Sequence, residues 1–226
     1  VVRENTEGEY SSIGGRMYGG TEREIVIQET VMSRTGVDRI LKFAFDLAQR
    51  RPARHLTSAT KSNGISITMP YWDERVEAMA KSYPEVNVDK YHIDILTARF
   101  VLQPGRFDVV AATNLFGDIL SDEACMLVGG LGLACSANVG ASAAVFEPVH
   151  GSAPDIAGKG IANPLAAILS AGMMLEHLGE QEAANALHQA CMSVLRDGEF
   201  VPADLGGSAT TTQLGDAVVS ALEASG

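Results

Sequence analysis

The run Phe107-Asp-Val-Val-Ala-Ala112 gives way at Asn114 to a helical pattern, Asn114-Leu-Phe-Gly-Asp-Ile-Leu-Ser-Asp122, and this junction constrains the fold more than any other stretch. Such an apolar run reads as a strand buried on both faces, as in a parallel sheet covered by helices. The acidic helix then begins just beyond the strand's C-terminal end, where α/β proteins gather their ligands. Asp118 and Asp122 are four residues apart, which on a helix puts both carboxylates on one face, where a hard divalent cation could take an oxygen from each. An ordinary solvated helix face has the same spacing, so spacing alone does not choose between the two.

The flanking chain alternates in the same way. Gly14-Gly15 and Gly19-Gly20 punctuate a turn region leading into a strand at Glu24–Gln28. Val37, Ile40, Leu41, Ala44, Leu47 and Ala48 recur at helical spacing until Pro52 ends the run. His55 to Thr60 reads as a short strand delivering Lys61 to a loop. A helix follows from near Pro70 to Pro84, with Trp72, Val76, Met79 and Tyr83 on one face. Past Gly129 the chain is rich in small residues; Asn163-Pro164 then supplies an N-cap and an N1 proline to a helix closed by Gly179. Helical patterns over 183–195 and 212–222 complete an alternating α/β layout. The domain boundary is expected near Gly129, with 1–128 as a substrate, metal and dimerisation domain and 129–226 as the C-terminal part of a dinucleotide-binding domain.

With 226 residues and 46% hydrophobic content, the chain can bury a sizeable core. A net charge of -11 argues against a nucleic-acid partner, so an anionic substrate would need a local cluster of basic side chains. Cys125, Cys135 and Cys191 lack metal-ligand spacing and read as reduced thiols in a cytoplasmic protein. No apolar run reaches the roughly 18 residues that a bilayer span needs.

Further segments carry a resemblance: Arg3-Glu-Asn-Thr-Glu-Gly-Glu-Tyr10, Lys61-Ser-Asn63, Tyr91-His-Ile-Asp94, the Asn114–Asp122 segment and Glu147-Pro-Val-His-Gly-Ser-Ala-Pro-Asp-Ile-Ala-Gly-Lys-Gly-Ile-Ala-Asn163. In this order they resemble the β-decarboxylating dehydrogenases, the isocitrate/isopropylmalate dehydrogenase family, from Val1 to near the C-terminus. The resemblance implies an isopropylmalate dehydrogenase-like α/β fold, distinct from the Rossmann fold and incomplete at the N-terminus of this chain. It also implies a homodimer with shared active sites and an arm near residues 14–28 that reaches the partner. It further implies NAD- and metal-dependent oxidative decarboxylation of a small 2-hydroxy dicarboxylic acid, and with the charge and hydropathy readings above no nucleic-acid or membrane partner is expected.

Carried onto this sequence, the resemblance makes Asp94, Asp118 and Asp122 ligands of Mg2+ or Mn2+, with Asp94 contributed across the dimer. Lys61, also across the dimer, becomes the base that takes the hydroxyl proton, and Tyr10 the acid that protonates the enolate carbon. Arg3 clamps a substrate carboxylate through its planar fork, and Asn63 hydrogen-bonds substrate or nicotinamide. Glu147, His150, Gly151, Ser152, Ala153, Asp155, Ile156 and Asn163 form the cofactor site, in which the Asp155 carboxylate favours NAD over NADP. Gly158-Lys-Gly160-Ile-Ala-Asn163 nearly matches a Rossmann fingerprint, but it lacks the preceding parallel strand.

Glu7–Arg16, Lys61–Gly64 and Met69–Arg75 look like tartrate/D-malate dehydrogenases, whereas Ser121–Ala124 and Asp204–Thr210 look like 3-isopropylmalate dehydrogenases of leucine biosynthesis. Gly64 offers no aliphatic wall to an isopropyl group and so favours tartrate or D-malate. A non-catalytic subunit would be expected to lose Tyr10, Lys61 or an acidic ligand, and all are present. A chain lacking part of its nucleotide domain is open to binding without turnover.

Overall fold

The computed structural model describes residues 1–224. The chain divides into two compact units, the first ending at Ala124 and the second starting at Cys125. The expected boundary lay after 128; the division falls inside a helix.

In the first unit the apolar strand is central. The unit holds β1 (Val2–Arg3), β2 (Gly14–Met17), β3 (Ile25–Gln28), α1 (Arg34–Arg50), β4 (His55–Thr60), α2 (Thr68–Ala80), β5 (Asn87–His92), α3 (Ile93–Leu102) and β6 (Val109–Ala112); α4 (Asn114–Leu127) runs across the boundary. The four-stranded sheet has the order β1-β6-β4-β5, and every pairing in it is parallel. Every residue of β6 is buried. Its side chains alternate: Val109 and Ala111 pack with Val37, Leu41, Phe45 and Trp72 from α1 and α2, and Val110 and Ala112 with Leu96, Phe100, Phe116 and Leu120 from α3 and α4. Two-sided burial is the reason this strand lacks the polar alternation of a surface strand.

The boundaries follow local chemistry. Ser33 caps α1 by accepting the Gly36 N–H at 3.0 Å. One helix has other bounds than the sequence reading gave it, and two elements were not expected. The second helix starts at Thr68 and ends at Ala80, so Tyr83 lies beyond it, stacked on Phe45 with centroids 5.0 Å apart and donating to Asp46. β5 and α3 were not expected as elements; β5 lies at the sheet edge with much of its length exposed, so its sequence carries no buried face to read. The antiparallel β2–β3 hairpin, expected as an arm, is exposed along both strands.

The second unit continues with β7 (Cys135–Val139), β8 (Ala144–Pro148), α5 (Leu165–His177), α6 (Gln181–Asp197) and α7 (Thr211–Ala224). Its core joins Leu165 with Ala190, Cys191, Val194, Leu214 and Val218 from the last two helices. β7 and β8 form an antiparallel hairpin in a stretch expected to be loop. Its antiparallel pairing agrees with the rejection of a Rossmann βαβ unit for the segment that follows. The Asn163-Pro164 reading needs one adjustment: Pro164 occupies the cap position and the helix starts at Leu165, whose N–H is accepted by the Asn163 side chain at 3.0 Å. Among the described residues the cysteines form no disulfide, and no helix is long and apolar enough to cross a membrane.

Candidate active site

Parallel pairing brings the C-terminal ends of β1, β6, β4 and β5 to one edge of the sheet, and each delivers a polar residue there. β1 ends at Arg3, opposite Ala112 at the end of β6. β4 ends at Thr60, opposite His92 at the end of β5. Lys61 follows the first of these two strands and Asp94 the second.

On the β1–β6 side, Arg3 makes a forked contact with the start of α4. Its Nε and Nη2 donate to the Asn114 Oδ1 at 3.0 and 2.7 Å, and its Nη1 donates to Asp118 Oδ1 at 2.6 Å. Gly117 lies beneath this side chain; a Cβ there would come within 2.7 Å of Arg3 Cβ and 2.6 Å of Cγ. Tyr10 Oη donates to the other oxygen, Asp118 Oδ2, at 3.1 Å, and the Arg3 guanidinium lies 5.9 Å from the Tyr10 ring centre. Desolvation and the Asp118 carboxylate both raise the Tyr10 pKa, which keeps the phenol protonated.

The segment between Arg3 and Tyr10 is fastened at both ends. Buried Glu4 takes Arg39 of α1 on both oxygens, at 3.0 and 3.1 Å, and accepts the Thr6 N–H and hydroxyl. Burial pushes its carboxyl up, but the bonds from Thr6 and Arg39 outweigh that and leave it below its ordinary value. Glu7 Oε1 accepts the Ser33 N–H at 2.6 Å. Glu9 turns the other way: its oxygens accept the Thr113 hydroxyl at 2.6 Å and the Leu115 N–H at 3.0 Å. Gly8, at φ +111°, brings the backbone against Asn114, whose Nδ2 donates to the Glu7 carbonyl.

On the β4–β5 side, Lys61 Nζ lies 2.8 Å from Asp94 Oδ1. This lysine holds the Asp94 carboxyl below its usual range. Asn63 is exposed in the turn after Lys61, closed by the Gly64 N–H to the Lys61 carbonyl at 2.9 Å. A Cβ at Gly64 would meet only ordinary contacts with the Lys61 side chain, so local sterics do not demand glycine there.

Asp118 and Asp122 offer a cation carboxylate oxygens from successive turns of α4, and the Asp118 side chain is 46% exposed. Such hard donors fit Mg2+ or Mn2+. Among the described residues no three His, Cys, Asp or Glu side chains converge as a metal site; Asp94 instead faces Lys61.

In the second unit, the segment from Glu147 to Asn163 leaves the end of β8 as an open loop. Glu147, His150, Gly151, Ser152, Ala153 and Asp155 are exposed and Ile156 is half-buried. Ala153 takes φ +43°, and the Ile156 N–H closes back on its carbonyl at 3.1 Å. The His150 Nδ1 lies 2.9 Å from the Gly151 carbonyl. Thr211 anchors the far end through the Gly160 and Ala162 carbonyls, at 2.8 and 2.5 Å. Exposed small residues on an anchored loop fit a ligand that lies across them. Asn163 differs, because it is buried and its side chain bonds Asp204 and the start of α5.

The sequence reading missed Asn114 and Glu9. Asn114 stood at a strand-to-helix junction, where a buried amide must find partners; nothing near Glu9 in sequence signalled a partner at Thr113.

Residues 1–218 match the family model described as isocitrate/isopropylmalate dehydrogenase. The chain is 60% identical over 226 residues to the decarboxylating D-malate dehydrogenase of Escherichia coli (strain K12), covering 96% of this chain and 62% of that protein. It is 58% identical over 231 residues to the tartrate dehydrogenase/decarboxylase of Pseudomonas putida, covering 98% of this chain and 63% of that protein. The crystal structure of isocitrate dehydrogenase from Methylococcus capsulatus matches 97% of this chain and 66% of its own with a TM-score of 0.89 and 44% identity. The chain thus spans 62 and 63% of the two curated relatives. The strand-to-helix junction, the carboxylates beyond it and these matches make one conclusion: the chain belongs to the isocitrate/isopropylmalate dehydrogenase family.

Proposed function

We propose that the protein catalyses NAD- and divalent-metal-dependent oxidative decarboxylation of a small 2-hydroxy dicarboxylic acid, D-malate or tartrate, in a homodimer whose subunits share active sites. The observation that carries this reading is the convergence of Arg3 and Tyr10 on Asp118 at the C-terminal edge of a parallel sheet. That edge combines an anion clamp, a protonated phenol and a cation ligand.

Bound at this edge, Mg2+ or Mn2+ would polarise the hydroxyl and carboxylate oxygens of the substrate, and NAD would accept the hydride. The chain's own groups do the rest. Arg3 clamps a substrate carboxylate through its planar fork. Lys61, in its neutral amine form, takes the hydroxyl proton as the hydride leaves and becomes the ammonium, and Asp94 beside it fixes the position of its nitrogen. Carbon dioxide then departs, and Tyr10, whose proton the Asp118 carboxylate helps retain, protonates the resulting enolate carbon. In the second unit, His150, Gly151, Ala153 and Ile156 receive the adenosine, and Asp155 accepts from the ribose hydroxyls. Asn163 holds that loop to Asp204. Gly64 offers no aliphatic side chain on which an isopropyl group could pack, which favours a small polar substrate.

The test is NADH formation by the full-length parent with Mn2+ on D-malate, tartrate and 3-isopropylmalate in parallel, with and without chelator. D-malate or tartrate should be preferred in kcat/KM by about tenfold or more, the discrimination that a few apolar methylenes can provide, and chelation should abolish turnover. Preference for 3-isopropylmalate would overturn the small-substrate reading. Absence of NADH with all three would overturn this substrate class.

A further inference from the structure

We propose that Glu9 is a positioning residue for Tyr10, acting by fastening the Arg3–Tyr10 segment to the first turn of α4; this rests on the reading of Tyr10 as the acid. Three observations carry it. The Tyr10 ring is 53% exposed, so apolar packing does little to hold it. Its position depends on its ends: the hydroxyl on Asp118 Oδ2 and the backbone continuing from Glu9. Both oxygens of Glu9 are in turn bound where β6 passes into α4, one by the Thr113 hydroxyl just before the helix at 2.6 Å and one by the Leu115 N–H in its first turn at 3.0 Å. Tyr10 is therefore stretched between two points of one helix, its N-terminus and Asp118 one turn on.

The other carboxylates of the segment do not have this geometry. Glu4 grips Arg39 and Glu7 grips the Ser33 N–H, both beside α1. Glu9 alone of the three sends its side chain to α4, the helix that carries Asp118. The Gln28 side chain donates to the Glu9 carbonyl at 3.0 Å and steadies the same residue from β3.

The experiment uses the full-length parent and Glu9→Ala, Glu9→Gln and Thr113→Val. Steady-state kinetics with Mn2+, NAD and the preferred substrate are combined with thermal melting and hydrogen exchange of peptides spanning 3–10 and 113–118. Glu9→Ala should lower kcat about 100-fold, the scale of an ångström-level misplacement of a reacting group, with KM for NAD within about twofold of wild type. Glu9→Gln, whose amide can still serve both partners, should recover most of that loss, and Thr113→Val should fall between. Both peptides should lose protection in Glu9→Ala. Wild-type kcat in Glu9→Ala with only a lowered melting temperature would overturn the proposal, leaving a helix cap. Equal inactivity of the Ala and Gln variants would overturn it in favour of a direct role for the charge. If Glu9→Ala does not fold, Glu9→Gln and Thr113→Val decide by the same kcat and exchange criteria. If the wild type turns over none of the three substrates, the reading of function fails separately. Exchange at 3–10 then decides the role of Glu9 alone: unchanged protection in Glu9→Ala overturns it.

Discussion

Glu4 shows how a single buried carboxylate can be strongly committed to a native state. It is 4% exposed, and its bonds to Thr6 and Arg39 hold its carboxyl below the ordinary value of 4.5 despite burial. A group whose pKa is depressed on folding contributes stability that is present above the unfolded value and lost as pH falls through the folded one. Glu4→Gln should therefore cost about 1–3 kcal/mol at neutral pH, the range for losing charge-assisted bonds at a buried site. The difference from wild type should shrink as pH drops below 4.5. Denaturant midpoints across that range check it; a gap that stays constant into acid would show that the Glu4 charge is not what stabilises.

At the scale of elements, α4 sets two general effects against each other at Gly117. Alanine there should favour the helix by up to about 1 kcal/mol. Its Cβ would meet Arg3 Cγ at 2.6 Å and Cβ at 2.7 Å, at the stem of the side chain where rotation gives little relief. Overpacking of this kind costs about 1–3 kcal/mol, so Gly117→Ala should lower the melting temperature and raise KM for the dicarboxylate by pushing Arg3 off its position. A higher melting temperature with unchanged KM would refute this account.

The same helix shows what the sequence disclosed. Its existence, its start at Asn114 and the strand before it were legible, because burial on both faces of β6 and one face of α4 imposes a period on the residues. β5 was not, since an edge strand with exposed side chains carries no such period. β7 was hidden for another reason: Cys-Ser-Ala-Asn-Val offers little apolar contrast, and its pairing with β8 is set by partners across a turn. The candidate site divides similarly. Residue types such as Tyr10, Lys61 and Asp118 could be picked out by motif, but the bonds of Arg3 to Asn114 and Glu9 to Thr113 join residues 111 and 104 apart. No local pattern encodes such contacts.

For the whole molecule, the shared-site reading makes a stoichiometric prediction. Tyr10→Phe and Lys61→Met should each be inactive as homodimers. Dissociated and remixed in equal amounts, they should recover about a quarter of wild-type activity, because half the dimers are hybrids and each hybrid has one intact site. Recovery measured after remixing, against each variant treated alone, checks this; no recovery despite proven exchange of subunits would mean that Tyr10 and Lys61 serve the same chain's site. The inward-facing acids of the Arg3–Tyr10 segment also change how the overall charge should be understood. The net charge of -11 counts Glu4, Glu7 and Glu9 equally with surface acids, yet they are bound by Arg39, by the Ser33 amide, and by Thr113 and the Leu115 amide. The Glu4–Arg39 pair is locally neutral, and the amide and hydroxyl dipoles aimed at Glu7 and Glu9 oppose those charges, so a dicarboxylate of the proposed kind would meet less repulsion from this segment than three solvated acids would exert.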